Sequence, residues 1–230
     1  MARSIDDLVH RDRLYYEKFT DVPFTGTLNE DAEHGVIKNG KREGYWRLYA
    51  DFARSVYEGW DDGEYIDGWH IYEEGEYRHG LRNGPWVIYE WRSGTVQSKG
   101  EYKNGEKEGP WADYYENGQL QNLRVYKNGW CNGPRVGYHE DGGLRYKDAY
   151  RNGNPEGLAI RYHANGQLYF KGSFDNGKEE GSHVYYNEDG TIDDRWLRSG
   201  IFRNGERVYD LPTVTDEVAA LMTSHPLAAS

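Results

Sequence analysis

His139 and His163 stand 24 residues apart in matching sequence surroundings. Imidazoles are the commonest metal ligands. Zinc chemistry would need their nitrogens about 2 Å from one ion. Carboxylate doublets such as Asp61-Asp62, Glu73-Glu74, Glu179-Glu180 and Asp193-Asp194 offer the groups that general acid–base catalysis uses. Cys131 is the single thiol, which excludes an intramolecular disulfide and a four-cysteine zinc site. No phosphate-binding loop with lysine, His-Glu-x-x-His, EF-hand or nucleophile-elbow pattern occurs.

The elements that must position these groups are set by glycine. Gly40, Gly80, Gly105, Gly129, Gly153, Gly177 and Gly205 each close an Asn-Gly or His-Gly pair, and the steps from Gly80 to Gly177 are 25, 24, 24 and 24. A second glycine follows four residues later, at Gly44, Gly84, Gly109, Gly133, Gly157 and Gly181. A second turn series, Gly94, Gly118, Gly142, Gly166 and Gly190, keeps a step of 24. A fixed period of this size marks a repeat array. Asn104-Gly105 and Asn117-Gly118 both read as type I′ hairpin turns, with positive φ at both central residues. Each repeat is then two strands and two turns, and turns this frequent exclude helices.

On that frame the chemistry recedes. Equivalent residues of adjacent repeats are two strands apart, roughly 9–10 Å. His139 and His163 therefore read as a ladder of solvent-facing repeat residues. Adjacent carboxylates in a strand point to opposite faces, so the doublets read as solubilising charge. Parity also separates the motif aromatics. The Trp two residues after the second glycine and the Tyr five after it fall on opposite faces. Tyr89, Tyr114, Tyr138, Tyr162 and Tyr186 should form a buried line. Gly100 and Gly172 in mid-strand should let neighbouring rings lie across them.

Composition agrees with a thin sheet. Mean hydropathy is −1.00 and the hydrophobic fraction 37%, yet there are 21 tyrosines and 8 tryptophans. The net charge of −11 opposes nucleic acid and makes an anionic membrane an unfavourable partner. It favours a basic protein partner. Met1 to Leu14 is charged and lacks an apolar stretch, which predicts a cytoplasmic home.

The unit Tyr102-Lys103-Asn104-Gly105 through Gly109-Pro110-Trp111, Tyr114-Tyr115 and Asn117-Gly118-Gln119-Leu120 resembles the MORN repeat variant. Weaker copies start at Tyr126, Tyr150 and Phe174. The opening Leu14 to Gly26 is similar to the first repeat of the YwqK-type antitoxins, bacterial proteins of this repeat class. The resemblance covers about residues 14–208. It implies an all-β, elongated, single-layer antiparallel hairpin meander of about 16 strands, a twisted ribbon or trough. Residues 1–13 are a lead, 14–208 the array, and 209–230 a tail with a short capping helix over about 214–223. Between Gly40 and Gly80 the period breaks, and Asp62-Gly63 reads as a turn before a shortened repeat near 56–80.

The resemblance implies a non-catalytic interaction scaffold without cofactor or metal, an antitoxin or immunity-type protein that occludes a partner such as a cognate toxin. Membrane association and edge-to-edge self-assembly are the alternatives. The expected contact residues are Tyr57, Trp60, Asp61, Asp62, Glu64, Tyr65, Trp69, Tyr72 and Glu74, with Trp86 and Trp111. Tryptophan is concentrated there, and acidic side chains would ring it.

Overall fold

The computed structural model describes residues 2–30, 33–51, 69–90, 93–193 and 199–210. The chain divides into two compact units, Met1–Cys131 and Asn132–Ser230. In each, the expected all-β antiparallel meander forms. The expected helix over 214–223 lies outside the described residues.

The first unit opens with β1 (Ala2–Arg3), a 3-10 turn (Ile5–Asp7), and a hairpin of β2 (Leu8–Arg11) and β3 (Leu14–Glu17). β1 runs parallel to β4 (Gly26–Glu30). From β4 the chain zigzags through β5 (Glu33–Lys38), β6 (Lys41–Asp51), β7 (Trp69–Arg78), β8 (Leu81–Tyr89), β9 (Val96–Lys103), β10 (Glu106–Tyr114) and β11 (Leu120–Lys127). Each of these strands from β4 on pairs antiparallel with the next.

β12 (Trp130–Tyr138) begins at the boundary and pairs with β13 (Leu144–Arg151) in the second unit. β14 (Asn154–Pro155) and β15 (Gly157–Tyr162) both pair with β13 and are split at Glu156. β16 (Leu168–Asp175), β17 (Lys178–Tyr185), β18 (Gly200–Arg203) and β19 (Glu206–Tyr209) follow as antiparallel neighbours.

The two turn series differ, which corrects the single turn type expected. Asn104 and Gly105 have φ of 53° and 87°, and Asn128 and Gly129 have 50° and 77°, as type I′ requires. In the second series only the glycine is left-handed, as at Gly118 with φ 81°. There Tyr115 N donates to Gln119 O, Gly118 N donates to Tyr115 O, and the Asn117 side chain accepts from Gln119 N at 2.9 Å. This is a three-residue loop built on a type I turn with glycine at the bulge. The asparagine's carboxamide replaces the second left-handed residue by gripping an amide two residues on.

Five of the type I′ turns, at Gly80, Gly105, Gly129, Gly177 and Gly205, are also stitched to the preceding repeat. Gly80 N donates to Arg42 O, Gly105 N to Arg82 O and Gly129 N to Lys107 O, at 2.8–3.0 Å. Beside them a carboxylate or amide accepts the preceding residue's amide: Glu43 from His79, Asn83 from Asn104, Glu108 from Asn128. In the second unit Glu156 and Glu180 do the same for Asn176 and Asn204. The first turn is held by the N-terminal segment. Phe24 O and Thr25 Oγ1 take the two amides of Gly40 and Asn39 instead. The N-terminal segment thus supplies the two acceptors that a preceding repeat supplies to the later turns.

The structure describes the two flanks of the irregular stretch. β6 and β7 pair directly, with Gly44 opposite Tyr77, Trp46 opposite Gly75, and Asp51 opposite Trp69. The described strands of the Gly40–Gly80 interval thus form one hairpin, and residues 52–68 connect them. Asp62-Gly63 falls within that connection, outside the described residues.

Candidate interaction surface

One face of the first unit is closed by its own side chains. Trp46, Trp86 and Trp111 are at most 1% exposed. Each indole lies across the glycine eleven residues earlier. A Cβ on Gly35 would fall 2.2 Å from the Trp46 ring, on Gly75 2.5 Å from Trp86, and on Gly100 2.4 Å from Trp111. The indole nitrogens donate to the carbonyls of Glu43, Glu76 and Glu101. Tyr77 and Tyr102 fill the gaps edge-on, with ring centroids 5.1–5.9 Å from the indoles on either side. Such T-shaped contacts satisfy the ring quadrupoles.

A row of cations covers the rings. The guanidinium of Arg42 lies 4.8 Å from the Trp46 ring, that of Arg82 4.4 Å from Trp86, and Lys107 Nζ 3.9 Å from Trp111. Arg42 pairs with Glu33 at 2.5 Å, and Arg82 with Glu73 at 2.6 and 2.8 Å. Burial pushes the Glu73 carboxyl up, and Arg82 only partly offsets it. The sequence reading missed this row. Its signal was available: a cation two residues after Gly40, Gly80 and Gly105, and a glutamate nine before the first two.

The second unit uses the same position differently. Arg135 replaces the tryptophan and makes a bidentate pair with Asp148 at 2.6 and 2.7 Å, between the Tyr146 and Tyr150 rings. Ala159 and then His183 follow, both buried, and the His183 ring lies over Gly172.

The opposite face of the first unit is more open. Tyr45 is 53% exposed. Glu74 accepts from Tyr89 Oη at 2.6 Å and from Arg47 Nε at 3.1 Å. Burial pushes Glu74 up, but hydrogen bonds from Tyr89 and Tyr45 and the pair with Arg47 outweigh it and hold the carboxyl below its usual range. Burial and the Glu74 bond push the Tyr89 phenol up to about 12.

The expected contact residues are thereby sorted. Tyr57, Trp60, Asp61, Asp62, Glu64 and Tyr65 lie outside the described residues. Trp69 enters β7 opposite Asp51. Tyr72 is half-buried against the core. Glu74 lies on the open face. Trp86 and Trp111 are core residues and present no ring to a partner, because a glycine below and a cation above enclose each. The tyrosine line also departs from expectation. Tyr89, Tyr114, Tyr138, Tyr162 and Tyr186 are only half-buried, and the tryptophan row is the core of the first unit. Opposite parity holds: Tyr114 meets Lys99 on the face away from Trp111.

His139 and His163 do not converge. Their Nε2 atoms donate to the carbonyls of Tyr162 and Tyr186 at 3.2 and 2.9 Å. They are half-buried rungs between successive repeats and not the solvent-facing row expected. Among the described residues no cluster of three or more His, Cys, Asp or Glu could hold a metal. No helix there is long and apolar enough to cross a membrane.

No curated protein matches the chain. The family described as MORN repeat variant matches residues 107–128 and 155–176. The first match runs from Lys107 in β10 to Asn128 after β11, and the second from Pro155 in β14 to Asn176 after β16. Both spans hold one hairpin with a type I loop and end at the asparagine of the next type I′ turn. Each unit of this chain therefore carries a MORN repeat variant hairpin.

Proposed function

We propose that this protein is a non-catalytic repeat scaffold of the antitoxin or immunity kind, which binds a basic protein and covers its working surface. The observation that carries the reading is the connection between Asp51 and Trp69. One repeat is 40 residues long where four others take 24 or 25 and the last 28, and the excess sits at the end of one hairpin. Insertions in repeat arrays tend to serve binding, because the framework does not need them. This one carries Tyr57, Trp60 and Tyr65 among Asp61, Asp62 and Glu64. Tyr45, Arg47, Glu74 and Tyr89 supply a hydrogen-bonded cluster on the open face of the flanking strands β6, β7 and β8. Tyr and Trp dominate binding hot spots, and the net charge of −11 speeds encounter with a basic partner.

The test begins with the protein encoded by the adjoining gene. Co-expression should yield a stable complex and relieve any growth defect that protein causes alone. Trp60→Ala and the pair Asp61→Lys with Asp62→Lys should weaken binding at least tenfold in calorimetry, with melting temperature unchanged. Absence of a complex, or full binding by these variants, removes the proposal.

A further inference from the structure

Phe19 breaks two local rules at once. Its side chain is fully exposed, at 102%, and Val22 three residues on is 70% exposed. Its backbone is left-handed, with φ of 64°. Thr20 N donates to Glu17 O at 3.2 Å, so Glu17 to Thr20 form a tight turn with Phe19 third. Lys18, second in that turn, is not left-handed. A turn whose third residue alone is left-handed is type II, and glycine or asparagine is the residue that fits there. A bulky side chain at that φ is strained. At full exposure the ring meets nothing in the chain that would offset the strain.

The turn is nevertheless held firmly. Arg11 donates to Thr20 O at 2.9 Å and pairs with Asp21. The same guanidinium lies 4.3 Å from the Tyr16 ring. Thr20 Oγ1 donates to Glu17 O at 3.1 Å, Val22 N donates to Thr20 Oγ1 at 3.4 Å, and Lys18 N donates to Asp7 O at 3.1 Å. Tyr16 and Pro23 close the loop as a bridge. Backbone strain that the surroundings hold in place gathers at binding sites. A ring displayed on a braced turn is pre-organised for a contact outside the chain, because little of the cost of ordering it remains at the moment of binding.

We infer that Phe19 is an anchor that enters an apolar pocket, one aromatic ring wide, on a partner protein, with Val22 at the pocket's lip. The surroundings select that occupant. From His10 to Val22 the charged side chains are Arg11, Arg13 and Lys18 against Asp12, Glu17 and Asp21, so this segment is neutral in a chain of net charge −11. Charge does not choose the partner here, and the ring does. Asp21, between Phe19 and Val22, has a side chain 94% exposed. A bilayer would have to take that carboxylate in with the ring, whereas a pocket with a polar rim leaves it wet. A second copy is a poor source of the pocket. Among the described residues, the hollow over Tyr169 is walled by Glu188, Asp189 and Asp193, and the one over Tyr114 by Asp113 and Glu116. Aromatic anchors seated in pockets carry much of the energy of an interface. That a protein supplies the pocket rests on the scaffold reading above. The cost of Phe19 rests on this chain alone.

One test needs only the full-length protein. Phe19→Gly and Phe19→Asn relieve the backbone and remove exposed apolar surface, so they should raise the melting temperature. A fall in both would mean that the ring serves the fold, and would overturn the inference. The other test uses the protein encoded by the adjoining gene. Phe19→Gly and Phe19→Asn should weaken that complex at least tenfold in calorimetry, and Phe19→Leu should weaken it less. Undiminished binding by Phe19→Gly to a partner that Trp60→Ala no longer holds overturns the inference and leaves the scaffold reading standing. Absence of any complex removes both. Vesicles of phosphatidylcholine and phosphatidylglycerol should not sediment the wild type. Sedimentation that Phe19→Gly abolishes would assign the ring to a membrane and overturn the inference.

Discussion

Glu73 and Glu74 are adjacent in β7 and live in opposite worlds. Glu73 is held on the closed face, where the loss of water outweighs Arg82 and raises its affinity for a proton. Glu74 accepts from Tyr89 and Arg47 on the open face and is held low. A carbon-detected titration should place the Glu73 midpoint above the ordinary 4.5 and the Glu74 midpoint below it. Coincident midpoints would mean that the faces are not distinct. The stability consequences have opposite signs. Glu74's contribution is present above its unfolded value and fades as pH falls through the folded one. Glu73's contribution is present at low pH and fades as pH rises through its raised folded value. A second residue-scale contrast involves Gly100. Its φ is ordinary, but a Cβ there would meet the Trp111 ring. Gly100→Ala should cost about 1–3 kcal/mol by overpacking and Trp111→Ala about 3–5 kcal/mol by leaving a void. Urea unfolding measures both, with exposed Leu123→Ala as the reference of small effect.

At the scale of the element, the hairpins were legible because Asn-Gly pairs fix backbone geometry without help from distant residues. Gly100 and Gly172 were legible as ring platforms for a similar reason. A wider rule could also have been read: a ring stands eleven residues after Gly35, Gly75, Gly100 and Gly172, whereas Arg124 and Asp148 precede Arg135 and Ala159. Glycine recurs where a ring must lie and lapses where none does. What escaped was the side that tryptophan serves. Burial of Trp86 and Trp111 depends on a cation folding back over each, and a long charged side chain in a polar sequence reads as solvated until its stem is seen against a ring. The difference between the two turn types escaped because Asn-Gly serves both. Only the number of residues between the last paired positions separates them. The turn stitches yield an element-scale prediction. Glu108→Ala removes the acceptor for Asn128 N. It should cost about 1 kcal/mol and speed exchange of the Asn128 amide. Asn128→Val should cost more, because φ of 50° is costly for a β-branched residue. If valine is tolerated, the turn is not type I′ in solution.

At the largest scale, contacts among the described residues of each unit follow the chain. Within the first unit each strand from β5 to β10 pairs with the strand before it and the strand after it, and the cation–aromatic row links a repeat only to its neighbours. Stability in such an array is a sum of local units and nearest-neighbour interfaces, unlike that of a globular core. A lesion should therefore stay near its site. Trp111 touches Tyr102, Lys107 and the backbone over Gly100, all in β9 and β10, and it stands opposite Arg124 in β11. Hydrogen exchange of Trp111→Ala should show protection lost in β9, β10 and β11 and kept in β4 and β5, where Leu28 and Ile37 pack around Trp46. The converse variant, Trp46→Ala, should loosen β5 to β7 first. Uniform loss of protection from β4 to β11 in either variant would mean that the unit unfolds as one cooperative body. In that case the repeat would describe its sequence but not its energetics.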